Sequence, residues 1–321
     1  MKKLAVNSTK YTVLFILSIS LFSGILLSIL NLVLTPYKER AILFDRNKQM
    51  LMSVKILDCK SRFQVAGKKG SFSPAIYNKE TQVLEKAKSP THPVSPLTLE
   101  AFSTRFVRPF FADRSGKIFS PEEKNINITS FEREFADSHL FLQPLLLFYA
   151  VLKNSPKIGA MTSQQVIDDP SVIASLIIPI SGFGLWGPIY GFLGVLNDGN
   201  TVLGTTWYKQ GETPGLGANI SSPSWQEQFF GKKIFHVVSP DISDLEKVTM
   251  GLEVVKGSAK TVYGNSPKFY SAVDGISGAT LTCNGVTEAF ERSLLPYRGL
   301  LLFFNHLQQS NSKGMSKNGK S

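Results

Sequence analysis

Cysteine and histidine are scarce in this chain of 321 residues: two cysteines and four histidines in all. Cys59 and Cys283 lie far apart, and two thiols alone cannot hold an iron–sulfur cluster or a structural zinc ion. A disulfide between them requires an oxidising compartment, which spacing alone does not test. His92, His139, His236 and His306 are isolated and show no ligand spacing, so no metal site is expected. The net charge is +11, from 35 Lys and Arg against 24 Asp and Glu, but the basic residues are scattered. Lys68-Lys69, Lys232-Lys233 and a lysine-dotted C-terminus group a few of them, and no helical stretch interleaves basic and aromatic residues, so nucleic acid is not expected as a partner.

Charge is wholly missing from one stretch. Tyr11 to Leu34 holds 24 residues without Asp, Glu, Lys or Arg. As a helix this run would be about 36 Å long, enough for a hydrocarbon core of about 30 Å. It exceeds the usual signal-peptide core and no small-x-small cleavage site follows, so a retained single-span anchor is expected. Lys2, Lys3 and Lys10 precede it, whereas Lys38, Arg40, Arg46 and Lys48 follow it. That balance leans towards a cytoplasmic main domain, although large domains cross membranes largely regardless of such charges.

Further along, Ala41 to Leu57 reads as a helical, membrane-proximal segment. Ser89 to Pro96 holds three prolines and marks a linker or loop. Asp113 to Thr129 is polar and turn-rich. Leu140 to Leu152 is apolar but too short to span a bilayer, and a buried strand from Leu145 to Val151 is expected there. Ser175 to Ile180 is a short β-rich run. Next comes Gly182-Phe183-Gly184-Leu185-Trp186-Gly187, which formally matches the G-x-G-x-x-G dinucleotide pattern. That pattern requires a helix directly after it. Here Pro188 follows, then strand-like Ile189 to Leu196, a turn at Asn197–Asn200 and a second strand-like run from Thr201 to Tyr208. A β-hairpin is the expectation, and a dinucleotide site is rejected. Gly211-Glu212-Thr213-Pro214-Gly215-Leu216-Gly217 follows, a loop that either lets backbone approach a ligand or merely makes a type II turn.

The most informative stretch is Asp274-Gly275-Ile276-Ser277-Gly278-Ala279-Thr280. After it, Val286, Phe290 and Leu294 recur every four residues, which predicts a helix from Cys283 to Tyr297 with one apolar face. Thr280 then stands at or near a helix N-terminus, where free N–H groups favour an anion. The segment resembles the D-x-x-[ST]-G-A-T flavinylation motif, in which a dedicated flavin transferase joins FMN phosphate to the Thr hydroxyl. The alternative is a Gly-Ala turn capped by Ser277 or Thr280. Thr282 competes as an attachment point but lacks the preceding Ser-Gly-Ala step.

Three features fall in one order: the anchor, Gly184-Leu185-Trp186-Gly187 running into Glu212-Thr213-Pro214-Gly215-Leu216-Gly217, and Ser277-Gly278-Ala279-Thr280. With Ser181-Gly182 before and Tyr190-Gly191-Phe192 after the first glycine-rich turn, the set resembles the NqrC family, the C subunits of the Na+-translocating NADH:quinone reductases. The resemblance covers about residues 5–40 and 140–300. Phe183 stands where relatives are expected to carry a lysine, and the stretch from about Gly67 to Phe131 is longer and less familiar. The G subunit of the related Rnf-type electron-transport complex shares the flavin attachment, but Leu185-Trp186-Gly187 and the greater length favour the NqrC family. A membrane-anchored binding protein without cofactor is the reading from another class.

The resemblance implies an α+β protein. A cytoplasmic N-terminus (1–10) precedes a transmembrane helix (11–34), and a membrane-proximal and insert region (35–139) follows. An FMN-binding domain (140–300) and a C-terminal tail (301–321), unstructured from about Gln308, complete the chain. It places the main domain on the periplasmic side of a bacterial inner membrane, against the charge lean. It implies FMN bound covalently through a phosphoester to Thr280, with Asp274, Ser277, Gly278 and Ala279 read by the flavin transferase. Thr213, Leu216, Gly217, Ser277, Gly278, Ala279, Trp186 and Lys256 are the candidate cofactor contacts. Trp186, a large aromatic beside the hairpin, is expected in its core rather than stacked on flavin. The implied partners are the membrane subunits and the NADH-oxidising subunit of the complex. The implied role is electron carriage coupled to Na+ export, with no catalysis by this chain alone.

Overall fold

The structure, a computed structural model, describes residues 9–67, 70–88, 92–134, 140–236 and 249–318. Most of the 1–10 segment, Lys68-Lys69, residues 89–91 of the proline-rich loop, His139 and the last three residues of the tail lie outside these. The chain forms two compact units, Met1–Arg46 and Asn47–Ser321.

The first unit consists of helix α1 (Thr9–Ser53), which continues into the second unit with its last turns. It is the one described helix long and apolar enough to cross a membrane. Leu14, Phe15, Leu21, Phe22 and Leu32 are exposed on it, as a lipid-facing surface requires.

The second unit opens with an antiparallel three-stranded sheet of β1 (Gln64–Ala66), β2 (Phe72–Asn78) and β3 (Val83–Lys86). Helix α2 (Pro96–Phe106) follows, started by the Ser95 hydroxyl accepting from the Thr98 N–H. Then come β4 (Val107–Ala112), β5 (Ile118–Phe119), α3 (Ile128–Glu134), β6 (Leu146–Leu152), α4 (Pro156–Gly159), α5 (Ser163–Asp168) and β7 (Ile173–Phe183). Next are β8 (Pro188–Leu196), β9 (Val202–Lys209), α6 (Pro223–Gln226), β10 (Glu253–Val255), α7 (Ala259–Tyr263) and β11 (Ala272–Asp274). Helices α8 (Thr280–Leu294) and α9 (Arg298–Asn318) close the fold.

A six-stranded sheet in the order β5-β4-β6-β7-β8-β9, antiparallel throughout, organises this unit. Side-chain alternation separates its faces. Leu147, Tyr149, Val151, Ile177 and Phe192 meet Met50 and Val54 at the end of α1 on one face. Trp207 packs edge-on against Phe290 of α8 on the other, their rings 5.7 Å apart. Helix α8 lies close on β7: a Cβ on Gly285 would sit 2.1 Å from the Phe183 carbonyl oxygen. Ser293 Oγ completes the join, bonding to both N–H and C=O of Ser181. The α8 expectation holds, with Val286, Phe290 and Leu294 all buried. The hairpin holds too: β8 begins at Pro188, where a phosphate-binding helix would have to start. Strand β7 is longer than the six-residue run expected.

Two elements run past the expected boundaries. The sheet of β6 to β9 extends upstream of residue 140, because β4 and β5 belong to it. Pro109 obscured β4. It is tolerated because β5 covers only Phe111 and Ala112, leaving β4 an edge beside Pro109. The tail is not set apart from residue 301 or unstructured from Gln308: α9 runs to Asn318, with Leu300, Leu301 and Phe304 fully buried. Its Asn305 side chain donates to the Asp198 carbonyl in the β8–β9 turn, 2.9 Å away.

Candidate functional site

Three segments meet at the start of α8: the β7–β8 turn (Phe183–Gly187), the loop after β9 (Gly211–Gly217) and the loop from β11 into α8 (Gly275–Ala279). The last is built by close approach. A Cβ on Gly275 would lie 2.3 Å from the Val255 carbonyl oxygen, and Gly278 has φ +76. Glycine is the residue that accepts both without strain. Ala279 N–H closes the turn on the Ile276 carbonyl at 3.1 Å, and Ile276 N–H donates to Cys283 Sγ at 3.3 Å. Burial pushes the Cys283 thiol up, outweighing that N–H. Cys283 is buried and Cys59 exposed, and both are free thiols.

Thr280 is the first residue of α8, and its side chain is exposed. Ala279 occupies the N-cap position and has no side-chain acceptor, so no side chain caps this helix. Neither Ser277 nor Thr280 stands at the N-cap position that the alternative reading gave them. Helix geometry leaves the N–H groups of Thr280, Leu281 and Thr282 without intrahelical partners. An exposed hydroxyl at an uncapped N-terminus fits a phosphoester: the hydroxyl supplies the oxygen and the N–H groups face its charge. Ser277 and Gly278 are exposed beside it.

Of the other sequence candidates, Leu216 reaches the same loop, since a Cβ on Gly278 would sit 2.9 Å from its Cδ2. Gly217 is buried against Thr282 and Glu212. Thr213 Oγ1 accepts from the Trp186 indole N–H at 3.0 Å. Trp186 itself is 68 % exposed, so the expectation that it fills the hairpin core is wrong. Phe183 and Leu185 of the same turn, Leu216 of the loop after β9 and Leu281 at the start of α8 are exposed apolar side chains as well. Lys256 is exposed in the loop after β10. That loop runs beside the approach to Thr280, because Val255 pairs with Asp274 and Gly275 N–H donates to the Gly257 carbonyl.

Asp274 is engaged at the start of α7 and by Trp225. Its Oδ1 accepts the Ala259 N–H at 2.7 Å at the start of α7, while its backbone carbonyl takes the Trp225 indole N–H. It orders the loop between β10 and α7, in keeping with a loop-ordering rather than a catalytic part.

Glu212 is the site residue that sequence reasoning missed. It is 5 % exposed and accepts from the N–H groups of Leu185 and Trp186 and from the Thr282 hydroxyl. Its one sequence signal is a lone carboxylate inside a glycine-rich loop. Burial raises its pKa, but the Thr282 hydroxyl and the two N–H groups outweigh burial and hold it below the ordinary glutamate range. A carboxyl depressed in the folded state stabilises the protein above its unfolded value, and the contribution is lost as pH falls through the folded value. Glu212→Gln should therefore melt below wild type near neutrality, with the gap closing below about pH 4 in melting scans.

A family model described as an FMN-binding domain matches residues 184–295, from the β7–β8 turn to just past α8. The C subunit of the Na(+)-translocating NADH-quinone reductase of Chlamydia caviae is 51% identical over 308 residues, 96% of each chain. That of Chlamydia pneumoniae is 53% identical over 309 residues, again 96% of each. The Vibrio vulnificus counterpart is 46% identical over 119 residues, 37% of this chain and 41% of its own. Among solved structures, the C subunit from Parabacteroides distasonis superposes with a TM-score of 0.51 at 23% identity. That match covers 84% of this chain and 96% of the other, and it is a likeness of fold.

Proposed function

The chain belongs to the NqrC family, the C subunits of the Na+-translocating NADH-quinone reductases, with an FMN-binding domain, and we propose that it carries FMN covalently on Thr280. The observation that carries this reading is the exposed Thr280 hydroxyl at the uncapped N-terminus of α8. The N–H groups of Thr280, Leu281 and Thr282 hold the phosphate charge, and Lys256 offsets it from the neighbouring loop. Thr213, Leu216, Gly217 and Trp186 are the contacts for the ring and ribityl chain, with Ser277, Gly278 and Ala279 lining the approach. Thr280 has no base beside it in sequence, which fits a side chain modified by a flavin transferase rather than an autonomous nucleophile. Asp274, Ser277, Gly278 and Ala279 are the residues such an enzyme reads.

FMN, when bound, takes up and gives up electrons, while the protein sets its position and potential. The chain thus serves as an electron carrier within a translocase. With one candidate span among the described residues, we assign the sodium path to the other subunits, and the NADH site with it, as the family resemblance implies. The full-length match to the NqrC family does not favour the alternative drawn from the Rnf-type complex. Chain co-produced with a flavin transferase, then denatured and precipitated, should keep yellow colour and flavin fluorescence in the protein pellet. A colourless pellet would favour the cofactor-free binding protein.

The single apolar span and the family resemblance support a main unit outside the cytoplasm, on the periplasmic side of the inner membrane. Protease added to spheroplasts should digest the chain beyond residue 46; full protection behind an intact inner membrane would reverse the orientation.

A further inference from the structure

We propose that Glu212 is the positioning residue of the flavin site: its carboxylate ties the Phe183–Gly187 turn and the Gly211–Gly217 loop to the first turn of α8. It thereby fixes Trp186 and Leu216 relative to Thr280. The inference rests on the reading that Thr280 carries FMN.

A buried carboxylate without a cation is costly unless hydrogen bonds compensate it. Glu212 has no ion pair among the described residues, and both its oxygens are occupied instead. Oε1 accepts from Trp186 N–H at 3.0 Å. Oε2 accepts from Leu185 N–H at 3.1 Å and from Thr282 Oγ1. The backbone closes around it: a Cβ on Gly184 would sit 2.5 Å from Oε1, and one on Gly217 2.8 Å from Oε2. One residue of the β9 loop thus holds a turn between two strands and a helix start, segments distant in sequence.

Two consequences bear on the flavin. First, the Trp186 ring stays in solvent yet is held at both ends, its backbone N–H by Glu212 and its indole N–H by Thr213. An exposed ring secured by hydrogen bonds rather than by packing is a pre-positioned contact surface. Second, Glu212 occupies the hydroxyl of Thr282, which is 1 % exposed, and leaves that of Thr280 as the accessible one.

An amide cannot replace this carboxylate. Gln has one acceptor oxygen, and its NH2 group would face the N–H of either Leu185 or Trp186. Losing one hydrogen bond to a charged group should speed amide exchange of the turn about tenfold.

The test uses full-length chain co-produced with a flavin transferase, as wild type, Glu212→Gln, Trp186→Phe and the double variant. Flavin at Thr280 is counted by peptide mass, and emission of the bound flavin, which a nearby indole quenches, is read in each. Glu212→Gln should raise emission per flavin, and the double variant should match Trp186→Phe alone, since Glu212 acts through Trp186. Unchanged emission in Glu212→Gln, or a rise that persists when Trp186 is already Phe, overturns the inference. If Glu212→Gln does not fold, Thr282→Val removes one partner and should move emission in the same direction; no change there overturns it equally. Wild type without flavin on Thr280 would instead overturn the attachment reading beneath it.

Discussion

Thr280→Ala should leave a folded, membrane-inserted chain that carries no covalent flavin. Thr280 is exposed at the first position of α8, and the cap residue before it is already Ala279. The change removes one hydroxyl and little packing, and Ala is the better helix former by up to about 0.7 kcal/mol. Stability should therefore stay close to wild type while occupancy falls to zero. The tryptic peptide Phe269–Arg292 contains Thr280 and Thr282 together, so the two are separated by variants rather than by cleavage. In wild type this peptide should be heavier by an FMN moiety, and in Thr280→Ala it should not. Thr282→Ala should keep the added mass. It should nonetheless melt lower, because it takes a hydroxyl donor from the buried Glu212, a loss of about 1–3 kcal/mol. Added mass that persists in Thr280→Ala would sink the attachment, and with it the mechanism of electron carriage through this chain.

The two threonines illustrate what sequence can carry. Period and punctuation are local, so α8 was legible from Val286, Phe290 and Leu294, and the hairpin from Asn197–Asn200 with Pro188 excluding a helix. The flavin motif was legible because its residues are contiguous. Glu212 was not, because its partners Leu185 and Trp186 lie 27 and 26 residues before it and Thr282 lies 70 after it. No periodicity encodes contacts at such separations. Trp186 was misjudged for a related reason: a large aromatic beside apolar strands reads as core, whereas two hydrogen bonds hold it outside. Strand β4 was hidden by Pro109, whose cost depends on whether a neighbour pairs there. The α9 extension was hidden because the apolar periodicity gives out after Leu307 although the helix continues.

The fold and the site are joined most tightly at Gly285, and Gly285→Ala should damage both. Two effects of opposite sign compete. Inside a helix, Ala in place of Gly stabilises by about 1 kcal/mol. Here, however, the new Cβ would lie 2.1 Å from the Phe183 carbonyl oxygen, 3.1 Å from its carbon and 3.3 Å from Gly184 Cα. These are backbone atoms of the β7–β8 turn and cannot rotate away as a side-chain end would. Overpacking typically costs about 1–3 kcal/mol, occasionally more, and a contact this short with fixed backbone belongs at the upper end. The steric term wins, and a net loss of about 2 kcal/mol is expected in denaturant unfolding. Relief can come only from α8 moving off β7, or from the turn moving away and pulling Leu185 and Trp186 from Glu212. Either shift disturbs the surroundings of Thr280, so flavin occupancy should fall along with stability. Ser293→Ala provides the contrast: it loosens the same helix on the same strand through Ser181, but at the far end from Thr280. It should lower stability by about 1 kcal/mol and leave occupancy intact. Gly285→Ala with full flavin content and wild-type stability would show that α8 and the turn are not rigidly joined there.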